Sequence, residues 1–456
     1  MASPENGGPI VRSLAPGMKS AMKVLHLATH DNFGGAARAA YRQHVALRQH
    51  GIDSRMLVRH KHSNDANVAV YFGDPGFFCR ASRVLRRTWI DHQEKRSRMR
   101  EKVVCGLTDP RADLLRNVGP EISEADVINI HKVQHFVDLP ALLRRLPPST
   151  PVVITLHDLS PITGGCDYPT SCRRFEAACG CCPIMDSHRA NDYSHRIFRV
   201  KDMAYSRLPQ ERLAFVANSF WSGEKARLSA LTKDRKVEVI HYGLDQTVYS
   251  PQKRRESRQA LGIGAEEPVL LFAAHDLGLP HKGGRYLRDA LVNVRCQRPI
   301  RLLTMGGGHF QVGSGYRHTY FGRVESDELQ ALLYQAADVF VIPSLEEAFG
   351  QSALEAVACG AVVAGFSVGG IPDIVKCGLN GLLVERQDTQ ALSEAIRKLL
   401  EDEALRGRWQ SCCETWVREN FSYSTNAAAY IALYDSLLDA ELRNHDPKRP
   451  DHQISP

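Results

Sequence analysis

Short apolar runs alternate with amphipathic stretches along most of the chain. MKVLHLAT, from Met22, is a strand-type run, and the Gly-rich turn in HDNFGGAARAAYRQHVALRQHG leads from it into a helix that ends at Gly51. SRMLVRH then reads as a second strand, so the chain opens with a β-loop-α-β unit of Rossmann-like type. Further strand candidates are ADVINIH (125–131), PVVITLH (151–157), LAFVANS (213–219) and KVEVIHYG (236–243). After Leu244 the stretch DQTVYSPQKRRESRQALGI is polar and turn-rich and reads as a linker region. A second alternating set follows: PVLLFAA (268–274), PIRLLTMGGG (299–308), a helix over 325–337, and DVFVIPS (338–344). A helix bearing Glu355, then GAVVAGF (360–366), NGLLVE (380–385) and an amphipathic helix over 389–402 complete it. The pattern predicts an α/β chain of two doubly wound, parallel-sheet halves, over 22–245 and 246–422, and shows no short-period repeat.

Length agrees, because 456 residues exceed one ordinary core and favour two domains of about 200 residues each. At 43% hydrophobic and 24% charged, the composition is that of a globular enzyme. No apolar run reaches the about 18 residues a membrane span needs. Residues 1–21 are polar, with Pro and Gly and no apolar core, and read as a disordered extension rather than a signal peptide. Residues 443–456 read as a disordered tail. The expected location is cytoplasmic. The net charge of +7 is unevenly spread, with nine Lys or Arg against three Asp or Glu between Arg80 and Lys102. Val84, Leu85, Trp89 and Ile90 interleave there. That pattern reads either as a basic amphipathic helix for an acidic membrane face or as a solvated helix face. No nucleic-acid motif accompanies it, so nucleic acid is not an expected partner.

Candidate chemistry concentrates in SLEEAFGQSALEAVACG. Glu347 and Glu355 lie eight residues apart, one in a turn and one in the first turn of the next helix. Ionised carboxylates only accept hydrogen bonds, which suits hydroxyl-rich ligands. The alternative is structural. Ser352 and Glu355 also fit a capping box, and Glu346 and Glu347 could be solvated loop charges. Ligands of open parallel sheets bind at the carboxyl ends of the strands. The Glu347 loop, Gly34-Gly35 and His157 each follow a predicted strand, so three separate elements converge on one cleft.

Together these segments resemble the family 4 retaining glycosyltransferases of the GT-B fold, over about residues 22–440. The likeness is to the bacterial branch that builds exopolysaccharide, O-antigen or colanic-acid-type units. It rests on GGAARAAYR (34–42), TLHDLSPITGGC (155–166), VANSFWS (216–222), VEVIHYGLD (237–245), LPHKGG (279–284), YFGRVESDEL (320–329), EAFGQSALEAVACG (347–360) and GGIPDIVKCGLNGLLV (369–384). The resemblance implies an N-terminal acceptor domain, a C-terminal nucleotide-sugar domain, and a helix over 423–442 that crosses back. It implies Glu347, His157 and Lys282 at the reaction centre, with Glu355 on the ribose. Phe349, Gly350 and Gln351 would offer backbone amides, and the helix near Ser352 would turn its N-terminus to the diphosphate. Gly34 and Gly35 would let backbone approach the phosphates. The acceptor would be a glycan or a polyprenyl-diphosphate-linked glycan, with contact to acidic membrane at the inner face.

One departure stands out. The family carries a basic residue shortly before the lysine, and HDLGLPHKGG has no Arg or second Lys there. Either a phosphate contact is missing or Arg285 or Arg323 replaces it. No Asp-x-Asp motif sits at a strand end, so no catalytic cofactor or metal is expected. Cys166, Cys172, Cys179 and Cys182, with Cys181 spare, suit a closed structural Zn2+ site in a reducing compartment. The alternatives are buried apolar cysteines pinning a loop, or a thiol pair. Two other functions compete with transfer: a GT-B sugar-nucleotide epimerase, and a catalytically weak nucleotide-sugar sensor or assembly partner.

Overall fold

The computed structural model describes residues 22–71, 88–89, 92, 107–112, 115, 119–147 and 149–444. The first sheet holds β1 (Lys23–His30), β2 (Asp53–His60), β3 (Val68–Val70), β4 (Val127–Ile130), β5 (Val152–Leu156), β6 (Leu213–Ala217) and β7 (Lys236–Val239). Their spatial order is β3-β2-β1-β4-β5-β6-β7, every pair parallel. The order reverses direction between β1 and β4, the point where such sheets open a crevice. The second sheet holds β8 (Val269–Asp276), β9 (Ile300–Gly307), β10 (Tyr316–Tyr320), β11 (Val339–Ile342), β12 (Val362–Phe366) and β13 (Gly381–Val384). Its order is β10-β9-β8-β11-β12-β13, again all parallel.

Strands buried on both faces read as unbroken apolar runs, as in VVITL and LAFVA, where every residue is buried. The helices that matter most for the cleft are α1 (Gly35–Gln49), α2 (Tyr193–Tyr205), α3 (Asp327–Ala336) and α4 (Gln351–Ala358). Helix α1 turns Ala37, Ala39, Ala40 and Ala46 inward, and these small side chains let it lie close to its neighbours.

The final helix, α5 (Tyr423–Asn444), returns to the first sheet. Ala427, Tyr430, Leu433, Tyr434 and Leu437 share one cluster with Val24, Val127, Val153, Ala214 and Val216. Its tyrosine hydroxyls are buried and bonded: Tyr430 pairs with Thr155, and Tyr434 accepts from Asn129 and Gln43. At the crossing, the Leu244 amide donates to the Phe421 carbonyl at 2.8 Å. The two halves also touch beside the cleft, where the Ser219 hydroxyl donates to the Ala348 carbonyl and Asp373 accepts from the Phe220 amide.

Candidate functional site

The Glu347 loop follows β11 and folds back tightly on two glycines. Gly369 has φ +54°, and a Cβ there would lie 1.7 Å from the Glu347 carbonyl oxygen. Gly283 has φ +72°, and a Cβ there would lie 1.7 Å from the Pro343 carbonyl. No side chain fits at either place, so backbone meets backbone and the Lys282 turn is pressed against the Glu347 loop. The Leu345 amide donates to the His281 carbonyl at 2.7 Å, and Lys282 Nζ donates to Glu347 Oε2 at 2.7 Å. Glu346 is not a solvated loop charge. It is buried and pairs with Arg386 at 3.1 Å.

The capping-box reading of Glu355 does not hold. Helix α4 starts at Gln351 with Gly350 at its N-cap (φ +103°), and no side chain caps it. Ser352 is already inside the helix, so Glu355 is not placed to reach back to it. Glu355 instead crosses to the other half of the molecule. Its Oε1 accepts from Arg42 at 2.8 Å and lies 3.7 Å from Arg38, and its Oε2 accepts from the Tyr334 hydroxyl at 3.1 Å. Arg38 also pairs with Asp327 and donates to Gln330 at 2.8 Å and to the Tyr249 hydroxyl at 2.9 Å. Burial would lower the Arg42 pKa, but Glu355 outweighs it and raises it. Gln351 Nε2 donates to the Gly35 carbonyl at 2.9 Å, which ties the starts of α1 and α4 together.

His157 follows β5. Its Nδ1 lies 2.6 Å from the Tyr242 hydroxyl and its Nε2 lies 2.9 Å from His131. Burial pushes its pKa down to about 4, so the ring is neutral at neutral pH. Phe349 is fully buried, with its ring 4.8 Å from that of Tyr242, so only its backbone is free to serve a ligand.

All nine predicted catalytic and donor positions line one cavity of about 310 Å³ between the two sheets: Gly34, Gly35, His157, Lys282, Glu347, Phe349, Gly350, Gln351 and Glu355. Arg38, Asn218, Tyr242, Arg323 and Tyr334 line it too. Of the two suggested replacements for the missing basic residue, Arg323 is in this wall. Arg285 instead lies over the Tyr286 ring, 4.5 Å from its centroid. A second cavity of about 510 Å³ adjoins the first and shares Gly34, Gly35, His157, Tyr168 and Lys282 with it. Lys132 there sits between Asp158, at 2.5 Å, and Asp167, at 3.7 Å. Burial, and then the Asp158 charge, push Asp167 up to about 7.

Sequence reasoning missed Arg38, Arg42 and Tyr334 in this wall and its supports. The arginines did leave a signal, an i, i+4 basic pair directly after the glycines in GGAARAAYR.

Cys166, Cys172, Cys179 and Cys182, the expected zinc ligands, all lie in the loop between β5 and α2. Among the described residues no three His, Cys, Asp or Glu side chains come together in a way that could hold a metal ion. None of Cys166, Cys172, Cys179 and Cys182 forms a disulfide. Cys179 Sγ accepts from the Gly164 amide at 3.0 Å, and burial pushes its thiol up to about 12. Lys201 Nζ donates across this loop to the Ser160 and Thr163 carbonyls. The basic stretch 80–102 lies outside the described residues except for Thr88, Trp89 and His92, and so do residues 1–21 and the tail beyond 444. Trp89 packs edge-on against Tyr193 and takes Arg111 over its ring. No helix among the described residues is long and apolar enough to cross a membrane.

Residues 267–402 match the family model described as Glycosyl transferases group 1. The D-inositol 3-phosphate glycosyltransferase of Corynebacterium efficiens is 30% identical over 235 residues, 47% of this chain and 54% of the relative. An uncharacterized glycosyltransferase of Methanocaldococcus jannaschii is 29% identical over 46% of this chain and 56% of its own. The chain thus spans about half the length of the curated relatives it matches. Among solved structures, HepE of Anabaena in complex with UDP and glucose superimposes with a TM-score of 0.60 at 19% identity, over 91% of this chain and 100% of that one. The fold is GT-B. Sucrose-phosphate synthase of Thermosynechococcus elongatus has the same architecture, with a TM-score of 0.61 at 20% identity over 92% of this chain and 100% of its own. In GT-B terms the 310 Å³ cavity is the crevice between the two Rossmann-like halves.

Proposed function

We propose that the chain is a retaining glycosyltransferase of family 4. It moves a sugar from a nucleoside diphosphate to a glycan or lipid-linked glycan in cell-surface polysaccharide synthesis on the cytoplasmic side. The observation that carries this reading is the Lys282–Glu347 pair, 2.7 Å apart, in one interdomain cavity with Glu355 and the Gly34-Gly35 turn. A cation beside a carboxylate, facing a glycine turn and an uncapped helix start, provides for a diphosphate and a sugar at once.

In this reading the diphosphate leaves the anomeric carbon with the bonding electron pair. Lys282, Arg323 and the first amides of α4 stabilise its growing charge. The acceptor oxygen bonds to the anomeric carbon, and its proton ends on the diphosphate. Glu347 takes sugar hydroxyls, and Glu355 takes the ribose hydroxyls after giving up Arg42 or Tyr334. The acceptor enters through the adjoining cavity, past Lys132, Asp158 and Asp167. Side chains and backbone supply the charge stabilisation, so chelation by EDTA should leave the rate unchanged. The sensor reading drew on the missing basic residue alone, and Arg323, which lines the cavity, is the residue that would supply that charge instead. The matched glycosyltransferases and the UDP complex of HepE support the choice of donor class.

The test is calorimetric binding and slow hydrolysis across UDP-, GDP- and ADP-sugars, for the wild type and Glu355→Gln. One donor should bind in the micromolar range and weaken in the variant. If no donor binds up to millimolar concentration, the transferase reading fails.

A further inference from the structure

Three histidines run in line from the buried middle of the first sheet to the cleft. His26 lies on β1, His131 directly after β4 and His157 directly after β5, and these three strands are neighbours. His26 Nδ1 lies 2.9 Å from His131 Nε2, and His131 Nδ1 lies 2.9 Å from His157 Nε2. His157 Nδ1 lies 2.6 Å from the Tyr242 hydroxyl, and Asn218 Nδ2 donates to that hydroxyl at 2.8 Å. The chain ends inside the protein, because His26 Nε2 is buried and has no hydrogen-bond partner.

A neutral imidazole carries one N–H and one bare nitrogen. Each contact in the line needs one donor and one acceptor, so the three rings must share one tautomer. Only two proton orders exist. In one, every ring is protonated at Nε2 and the bonds point away from the cleft. In the other, every ring is protonated at Nδ1 and they point toward it. Tyr242 favours the first. Asn218 Nδ2 donates to the tyrosine oxygen, and the 2.6 Å between that oxygen and His157 Nδ1 is short for an N–H donor and usual for a hydroxyl donor, so the tyrosine proton goes to His157 Nδ1. Asn218 Oδ1 accepts from the Ser222 hydroxyl at 3.0 Å, which agrees with that amide orientation.

We propose that Asn218, Tyr242, His157, His131 and His26 form one proton-ordered chain. It holds all three rings in the Nε2–H form and leaves the cleft at this point with an acceptor-only tyrosine oxygen. Asn218, His131 and His26 are then positioning residues for the donor sugar, which must offer a hydroxyl proton to Tyr242. Both nitrogens of His157 are used within the chain, so its ring offers the ligand no free N–H. Burial keeps all three rings neutral, with His26 and His131 held well below the usual histidine range. A charged ring would have two donors and would break the order. The part concerning the sugar rests on the transferase reading; the proton order does not.

The experiment is nitrogen-15 NMR of histidine-labelled, ligand-free protein, with His26→Gln, His131→Gln and His157→Gln assigning the signals. All three rings should show the Nε2–H pattern in the wild type. An Nδ1–H, mixed or imidazolium pattern at any of them would overturn the proposal. In Asn218→Asp the carboxylate accepts and cannot donate, so the three rings should switch together to Nδ1–H. An unchanged pattern, or a change at His157 alone, would remove the role given to Asn218. His131→Phe supplies the functional arm. It should weaken binding of the sugar nucleotide roughly tenfold, about the worth of one neutral hydrogen bond, and leave binding of the sugar-free nucleoside diphosphate unchanged. Equal loss of both ligands would reduce His131 to a structural role. Failure of the wild type to bind either ligand would sink the transferase reading and leave the NMR result standing.

Discussion

Glu355 has two possible sets of partners, and that makes it the residue to test first. Arg42 and Tyr334 occupy both its oxygens. A ribose would replace neutral or charged donors with its own hydroxyls, so Glu355→Gln should weaken donor binding by about 1.5–3 kcal/mol, read by calorimetry. Lys282 differs, because its charge matters most when the diphosphate departs. Lys282→Ala should lower kcat by roughly 10² to 10³ and change KM less. The two effects separate ground-state from transition-state binding and can be read in one steady-state experiment. Much of this wall was legible from residue types alone, since a carboxylate pair, a lysine and a glycine turn at strand ends announce an anionic, hydroxyl-rich ligand. Tyr242, Asn218 and the buried His26 and His131 were not. Their meaning lies in contacts between strands far apart in sequence, although VINIH and VITLH do place a histidine at the same step of two strands.

At the scale of elements, α1 and α4 act as one unit across the cleft. Arg38 and Arg42 stand one helical turn apart on α1 and meet Glu355 on α4 and Asp327 on α3. Arg42→Met would leave a buried carboxylate with less compensation, and it should lower stability by about 3 kcal/mol in urea denaturation. Gly369→Ala should act differently. Its Cβ would collide with the Glu347 backbone, so the loop must move and activity should fall sharply, measured as kcat/KM beside an unchanged far-ultraviolet circular dichroism spectrum. Both sheets could be read from apolar runs because most of their strands are buried on two faces. The edge strands β3 and β10 could not. VAV is too short to show a period, and YRHTY is polar and partly exposed. The capping-box pattern was misleading because Gly350 takes the αL conformation and starts the helix two residues earlier, which leaves Ser352 inside it.

The whole molecule should be sensitive to mild acid. His26, His44, His131 and His157 all have folded pKa values below the usual histidine value, the second and fourth at about 4. Between about pH 6.5 and 4 the unfolded chain therefore binds protons that the folded chain refuses. Stability is fully present above 6.5 and falls as pH drops, by up to about 1.4 kcal/mol per pH unit for each histidine. Asp167, raised to about 7, works in the opposite sense by one proton. Thermal scans at pH 7.5 and 5.5 should show a clear loss of Tm, and His44→Gln should reduce it.

Helix α5 carries another consequence. It covers Val24, Val127, Val153, Ala214 and Val216 on a sheet whose strands all precede the second sheet in the chain. A ribosome therefore delivers the strands of the first sheet early and their cover only after the entire second sheet has emerged. Through that interval a nascent apolar face waits for its partner, a state that invites chaperone capture. The half of the molecule made first is the last to finish folding.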